Sequence, residues 1–294
     1  MPPTLLTEDS INTRDLFAVR KILLSRGFEV ISENNYKKLL VAEENIYDEV
    51  WNDMFDIFNS KKLRVELKDF LYSKIKEAEA PEIKKIVGHS KFSKERERFD
   101  CTFEWFAGEL MVKKFAAFSS SFGIEVRDIM RNSTATEAGD YDALVVLRDT
   151  NIAYFECKAG NFDAASIMKC YDRMLSLNCE YSIFICLGSI DEERLKWESR
   201  QVKVPIMNQH HLSKIHIKNK DQDIIYDLHN CYLMDMFGNI ENKIRTILRI
   251  NSAKINHLHY GIMPDNDTYS KLGYNIENVD TQRYTDFQDA SIRL

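Results

Sequence analysis

Two acidic residues and a lysine stand at the ends of two apolar runs that follow each other closely in the chain. Asp142 directly precedes the apolar run 143–147, and Glu156 and Lys158 follow the run 152–155. Two carboxylates can hold a hard divalent cation through oxygen. A lysine beside them can stabilise a developing negative charge or help a water lose its proton. This combination of residue types indicates metal-assisted cleavage of a phosphodiester.

The two apolar runs have the length and composition of β-strands, and the polar residues 148–151 between them suit a hairpin turn. In an antiparallel hairpin the start of one strand lies beside the end of the next, which brings Asp142 next to Glu156. Because side chains alternate faces along a strand, Glu156 and Lys158 point to one face and Cys157 to the other. The backbone carbonyl of Cys157 can then act as a further oxygen ligand.

A helix upstream of the hairpin carries a third acidic candidate. Residues 103–117 have helical periodicity, and Glu109 falls between two apolar sets on that helix. An unpaired buried charge is costly, so Glu109 needs a partner there. A metal, or a water bound to a metal, would supply one. A salt bridge on the surface of the helix is the alternative.

A helix glutamate, a strand aspartate and a Glu-x-Lys on the next strand occur in the order that resembles the PD-(D/E)xK nuclease superfamily, whose members have the restriction-endonuclease-like fold. Among its members, the pattern looks most like restriction-type enzymes and the nuclease domains of CRISPR-associated effectors switched on by cyclic oligoadenylates. The resemblance spans roughly residues 100–216. The segments that carry it are Gly108-Glu109-x-x-Val112, Asp140-Tyr141-Asp142 and Phe155-Glu156-Cys157-Lys158-Ala159-Gly160.

The resemblance implies a role for each matching residue. Asp142 and Glu156 would be metal ligands, with Glu109 as a direct or outer ligand and the Cys157 carbonyl as a backbone ligand. Lys158 would be the catalytic lysine, and the cofactor would be Mg²⁺ or Mn²⁺. The implied activity is that of a DNA endonuclease of restriction or defence type. Cleavage of RNA, activation by a partner, and a catalytically silent nucleic-acid-binding scaffold are the alternatives.

The resemblance and the periodicities together predict an α/β protein. It would have a restriction-endonuclease-like core, in which a central mixed β-sheet is flanked by helices in the order α-β-β-β-α-β. The predicted organisation is a mainly helical region over residues 1–98, the nuclease core over 99–216 and an extension over 217–294. Residues 208–215 are predicted to begin a closing helix.

Basic residues near the predicted core are candidates for contacts with phosphates. Lys94, Arg96 and Arg98 precede the predicted catalytic helix, and Lys169 and Arg173 lie on the amphipathic segment that follows the hairpin. Such residues position a nucleic acid without reading its sequence. Solvated helix faces are the alternative reading of both groups.

Composition excludes several other classes of protein. A net charge of −6 argues against a strongly basic nucleic-acid coat, although a bound cation would offset an acidic site. The six cysteines form no Cys-x-x-Cys pair, which indicates free thiols in place of a zinc finger. No apolar run has transmembrane length and the N-terminus lacks a signal core, so we expect no membrane association and a cytoplasmic location. A homodimer or larger homo-oligomer is predicted, because symmetric sites can cut both strands of a duplex.

Overall fold

The computed structural model describes residues 18–33, 46–71, 95–130, 133–134, 140–147, 151–160, 162–202, 209–219, 223–260 and 266–283. Residues 18–25 are helical. The other helices are α1 (Ile46–Asn59), α2 (Lys61–Leu71), α3 (Glu95–Phe115), α4 (Ala164–Ser176), α5 (Glu192–Arg200), α6 (Ile240–Tyr260) and α7 (Asn266–Lys271). The strands are β1 (Phe28–Glu33), β2 (Ser119–Asp128), β3 (Ser133–Thr134), β4 (Tyr141–Val146), β5 (Ile152–Lys158), β6 (Tyr181–Cys186), β7 (Gln209–Ile217), β8 (Ile224–Leu228), β9 (Cys231–Asp235) and β10 (Tyr274–Arg283).

The strands form one mixed sheet in the order β1-β2-β4-β5-β6-β9-β8-β7-β10, with the short β3 paired to β2. Strands β5, β6 and β9 are parallel to one another, and the remaining pairs are antiparallel. A parallel pair needs a crossover connection, and α4 provides it between β5 and β6. The carboxyl ends of three adjacent strands therefore lie at one edge of the sheet.

Both faces of the central strands are buried. Ala153 and Phe155 on β5 pack with α1, α3 and α6 on one face, whereas Ile152 and Tyr154 pack with α4, α5 and the helical segment 18–25 on the other. A strand covered on both sides has no solvent-facing positions to fill with polar residues. This explains why β4 and β5 appear in the sequence as continuous apolar runs.

Helix α4 begins at a capping box. The Asp163 side chain accepts a hydrogen bond from the Ser166 backbone N–H, and the Ser166 hydroxyl is paired in return with the Asp163 backbone N–H. Ile167 and Met174 then bury one side of the helix against the sheet. The same side carries Arg173, which is also buried. The cap and the apolar face together fix which way the basic residues of α4 point.

The predicted hairpin and the helix after it are present as β4, β5 and α4, and the order α-β-β-β-α-β is found in α3, β2, β4, β5, α4 and β6, with the two-residue β3 added between β2 and β4. The mixed sheet flanked by helices is likewise confirmed. The predicted helix start at 208–215 is wrong for the described residues 209–215, because they belong to β7, which pairs with β8 and β10. The sheet also crosses both predicted boundaries, since β1 precedes residue 98 and β8 to β10 follow residue 217.

None of the described helices combines the length and the apolar character that crossing a membrane requires.

Truncation of a side chain in the middle of the sheet tests this packing. Phe184 on β6 is fully buried, so Phe184→Ala should lower the free energy of unfolding by about 3 to 5 kcal/mol, as is typical for a phenylalanine in a rigid core. Trp197→Ala is the matched control, because Trp197 is 65% exposed, and it should stay within about 0.5 kcal/mol of the unchanged protein. Urea unfolding followed by circular dichroism measures both. Equal losses for the two variants would contradict the packing described.

Candidate active site

Asp142 and Glu156 are buried side by side where β4 and β5 meet. Ala143 pairs with Phe155 across the hairpin, so the preceding residue of β4 lies opposite the following residue of β5. The Cys157 backbone N–H donates a hydrogen bond of 2.7 Å to Oδ2 of Asp142 and holds that carboxylate against β5. The local hairpin register thus brings together two acids that are separated in the sequence.

Three cationic side chains surround this pair of carboxylates. Lys158 Nζ lies 2.5 Å from Oε1 of Glu156, and Lys169 Nζ lies 3.7 Å from the same atom. Arg173 Nη1 lies 3.4 Å from Oε2 of Glu156 and 3.8 Å from Oδ1 of Asp142. The structure thus places all three predicted basic residues at the site. Arg173 is buried within it, which departs from the solvated alternative considered for that residue.

Two tyrosines complete the buried side of the site. The Tyr154 hydroxyl donates to Oε2 of Glu156 and accepts a hydrogen bond of 2.9 Å from Arg173 Nη1. The guanidinium of Arg173 also lies 4.9 Å from the centre of the Tyr141 ring, which packs edge-on against Tyr154. Tyr154 was not among the predicted site residues. Its only sequence signal is its position two residues before Glu156, on the same face of β5.

Burial and mutual repulsion set the ionisation of the two carboxylates. Burial and the charge of the neighbouring Glu156 together raise the pKa of Asp142 to about 7, although the Cys157 N–H and Lys158 act to lower it. Burial also acts to raise the pKa of Glu156, but Lys158 and Tyr154 outweigh it, so this pKa lies below its ordinary value. At neutral pH Glu156 is therefore ionised, and Asp142 is close to its titration midpoint.

Lys158 remains a cation at this site. Burial acts to lower its pKa, but the ion pair with Glu156 and the charge of Asp142 together raise it above the ordinary lysine value. A protonated lysine can stabilise negative charge, whereas it cannot accept a proton from water. Of the two roles expected for Lys158, the geometry favours electrostatic stabilisation.

The acid of α3 that interacts with this pair is Glu104. Burial raises the pKa of Glu104 to about 10, and the charges of Asp142, Asp140 and Glu156 contribute to the rise. The predicted Glu109 instead accepts a hydrogen bond from the Tyr47 hydroxyl of α1. Five residues along a helix correspond to about 7.5 Å of rise and about 140° of rotation, so the two acids cannot point to the same place.

Glu104 is thus an additional candidate on α3, coupled to the pair through charge, and the role of Glu109 as a ligand stays a prediction. Glu109 and Glu104 are equally plausible by their periodicity, since both stand among apolar residues of α3. Burial of the flanking residues does not separate the two, because Glu109 also stands between buried residues and is itself buried. Only the packing of α3 on the sheet shows which acid approaches the strand ends.

The predicted phosphate-contacting arm lies outside what the structure describes. Lys94 is not among the described residues, and the side chains of Arg96 and Arg98 in the first turn of α3 are not described either. Their contact with nucleic acid stays a prediction.

The donor groups at the strand ends fit a hard divalent cation. The Lys158 carbonyl accepts from Leu187 on the β6 side, so the carbonyl of Cys157 faces the β4 side, where its N–H meets Asp142. Two carboxylates and one carbonyl, completed by waters, suit Mg²⁺. No group of three or more His, Cys, Asp or Glu side chains close enough to hold a metal occurs in the described ranges, so Glu104 would act through a water or through its charge.

Removal of one buried carboxylate should change how stability depends on pH. Because the pKa of Asp142 rises from 3.8 to about 7 on folding, its stabilising contribution is complete below pH 3.8 and is lost as the pH rises through 7. Asp142→Asn keeps an acceptor for the Cys157 N–H but does not titrate. Between pH 4 and pH 8 the free energy of unfolding should fall less in this variant than in the unchanged protein, by more than about 1 kcal/mol.

Chemical denaturation at a series of pH values measures this difference. Glu193→Gln is the control, because Glu193 is exposed on α5 and its loss should leave the pH profile unchanged. Identical profiles for Asp142→Asn and the unchanged protein would contradict the burial of an ionisable pair.

Comparison with solved structures gives only weak likeness. No family model matches the chain, and no curated protein matches it. The crystal structure of protein VC1899 from Vibrio cholerae aligns with 79% of this chain at a TM-score of 0.44 and 8% sequence identity. The aligned part spans 60% of the length of that protein. A likeness at this level defines neither a fold nor a function.

Proposed function

We propose that this protein is a divalent-metal-dependent nuclease that hydrolyses phosphodiester bonds, with α3 to β6 as its restriction-endonuclease-like core. The observation that carries the proposal is the buried pair Asp142 and Glu156 with the protonated Lys158 at 2.5 Å from Glu156. Burying two like charges side by side is costly. A site that gathers them beside a lysine at a strand end is therefore a strong candidate for binding a cation and a phosphate.

The two lysines of the site lie on its solvent-exposed side, and the arginine lies on its buried side. The side chains of Lys158 and Lys169 are 27% and 34% exposed, whereas that of Arg173 is 4% exposed. A phosphate from solvent therefore approaches past the two lysines and not past the arginine. These two cations raise the local concentration of a polyanion even though the whole chain carries a net charge of −6.

In the proposed hydrolysis, some residues of the site would bind the metal ion and Lys158 would stabilise charge on the phosphate. When bound, a Mg²⁺ or Mn²⁺ ion polarises the scissile phosphate and lowers the pKa of a bound water. Asp142, Glu156 and the Cys157 carbonyl would hold that ion. Lys158 would stabilise the negative charge that builds up on the phosphate oxygens, which requires the protonated form favoured by its ion pair.

A binding protein without cleavage is the second candidate, and one observation favours it. The oxygens of Asp142 and Glu156 already have contacts with Lys158, Arg173 and the Cys157 N–H. A carboxylate pair neutralised in this way could persist as part of the fold. Calorimetric titration with Mn²⁺ at neutral pH separates the two candidates, because only the nuclease requires the cation to bind.

Loss of Lys158 or Asp142 should abolish cleavage and leave the fold intact. Lys158→Ala and Asp142→Asn should each lower the rate by about a hundredfold or more, the usual effect of removing a group that stabilises charge in the transition state. Lys62→Ala on the exposed surface of α2 is the control and should cut at the unchanged rate.

The assay incubates the pure protein with Mg²⁺ or Mn²⁺ and plasmid, linear duplex, single-stranded DNA and RNA. DNA is the preferred substrate and RNA the alternative, and duplex cleavage would use two copies of the chain related by symmetry. Restriction or antiviral defence in the cytoplasm is the setting that we propose. Metal-dependent cleavage retained by both site variants would refute the assignment.

Lys169 should contribute to binding through a phosphate. Because each neutralised phosphate releases condensed counterions, Lys169→Ala should reduce the slope of log affinity against log salt by about 0.7 to 0.9. Fluorescence anisotropy with labelled single-stranded and duplex DNA between low and moderate salt measures the slope. Lys218→Ala, an exposed lysine beyond β7, is the matched control. A slope that Lys169→Ala leaves unchanged would exclude this residue from the binding surface.

A further inference from the structure

The oxygens of the carboxylate pair already have partners. Oε1 of Glu156 contacts Lys158 at 2.5 Å, and Oε2 accepts from Tyr154 and lies 3.4 Å from Arg173. In Asp142, Oδ2 accepts from the Cys157 N–H at 2.7 Å and Oδ1 lies 3.8 Å from Arg173. The contact of Oε1 with Lys158 is an ion pair without hydrogen-bond geometry, so a divalent cation that binds this pair competes with these partners for the carboxylate oxygens.

Lys158 and Arg173 differ in how easily they can move. Lys158 is the last residue of β5, and its side chain is 27% exposed on a flexible stem that can turn towards solvent. Arg173 is 4% exposed, donates to the Tyr154 hydroxyl at 2.9 Å and lies over the Tyr141 ring. A buried guanidinium with these contacts has no solvated position to move into. Lys158 is thus the partner that yields to a cation, and Arg173 is the one that stays.

We infer that Arg173 is a built-in counter-ion on the buried side of the carboxylate pair, which restricts the site to one divalent cation and weakens its binding. This inference rests on the proposed function and deepens it. Arg173 is accordingly a positioning residue, because it acts on the carboxylates and not on the substrate.

The charges at the site agree with a single cation. On the buried side of the site, Asp142 and Glu156 in their ionised forms carry −2 and Arg173 reduces this to −1. Lys158 and Lys169 add two positive charges on the side that borders solvent, where water screens them. One divalent cation changes the sum to +1, which the negative charge of a phosphodiester then neutralises. A second divalent cation would leave the buried site with an excess of positive charge, and such an excess is costly where water is excluded.

Titration of Mn²⁺ into two variants tests this inference without nucleic acid. Arg173→Met removes the charge and keeps much of the volume, whereas Arg173→Lys keeps the charge as the matched control. Calorimetry measures the affinity, and electron paramagnetic resonance of free Mn²⁺ counts the bound ions. The unchanged protein and Arg173→Lys should bind one ion with similar affinity. Arg173→Met should bind Mn²⁺ at least about tenfold more tightly than the unchanged protein. A factor of about ten is the smallest effect expected from removing one charge that lies 3.4 to 3.8 Å from the carboxylates.

A second measurement covers the case in which Arg173→Met does not fold. Glu156→Gln removes one carboxylate, so in metal-free buffer the double variant Arg173→Met/Glu156→Gln should melt at a higher temperature than Arg173→Met alone. A counter-ion makes the gain from Glu156→Gln larger in the Arg173→Met background than in the unchanged protein, whereas a residue that only fills space gives equal changes in both. No rescue by Glu156→Gln would overturn the counter-ion role.

The outcomes separate this inference from the proposed function. If the unchanged protein binds Mn²⁺ and Arg173→Met binds it no more tightly, the inference fails and the nuclease proposal stands. Two ions bound by the unchanged protein would also overturn the inference. If none of the proteins binds Mn²⁺, the metal site and the restriction by Arg173 fail together, and the melting of the double variant then decides whether Arg173 is a counter-ion of the fold.

Discussion

Two carboxylates that are buried side by side are the constraint on which the rest of this site depends. Asp142 and Glu156 repel each other, and their burial makes the repulsion stronger because little solvent screens it. The protein must therefore supply positive charge and hydrogen-bond donors from its own chain. The lysines, the arginine, the tyrosine hydroxyl and the backbone N–H around the pair are the groups that meet this requirement.

These groups come from different parts of the fold. The hairpin of β4 and β5 fixes the acids and Lys158, and α4 adds Lys169 and Arg173 from above the same face of the sheet. Helix α4 can do so because it is the crossover between two parallel strands and must lie across them. The connection that the topology requires is thus also the element that neutralises the site.

The site has a buried side and an exposed side, and this asymmetry determines its chemistry. Arg173 and the tyrosines close the buried side, whereas Lys158 and Lys169 border solvent. A ligand that approaches from solvent first contacts the flexible side chains of Lys158 and Lys169, and the buried Arg173 lies behind them. The carboxyl ends of β5, β6 and β9 share this edge, which is the place where open α/β sheets commonly bind ligands.

The sequence by itself determined what is local. The two-residue alternation of strands and a short turn were enough to bring Asp142, Glu156 and Lys158 together, and the amphipathic periodicity after the hairpin was enough to predict α4. The tertiary structure decided what depends on packing between distant segments. Examples are the effect of the carboxylate pair on the pKa of Glu104, the burial of Arg173, and the position of β9 between β6 and β8. Periodicity shows that a helix has an inner face, but the partner of that face depends on contacts between residues far apart in the chain, which no local pattern encodes.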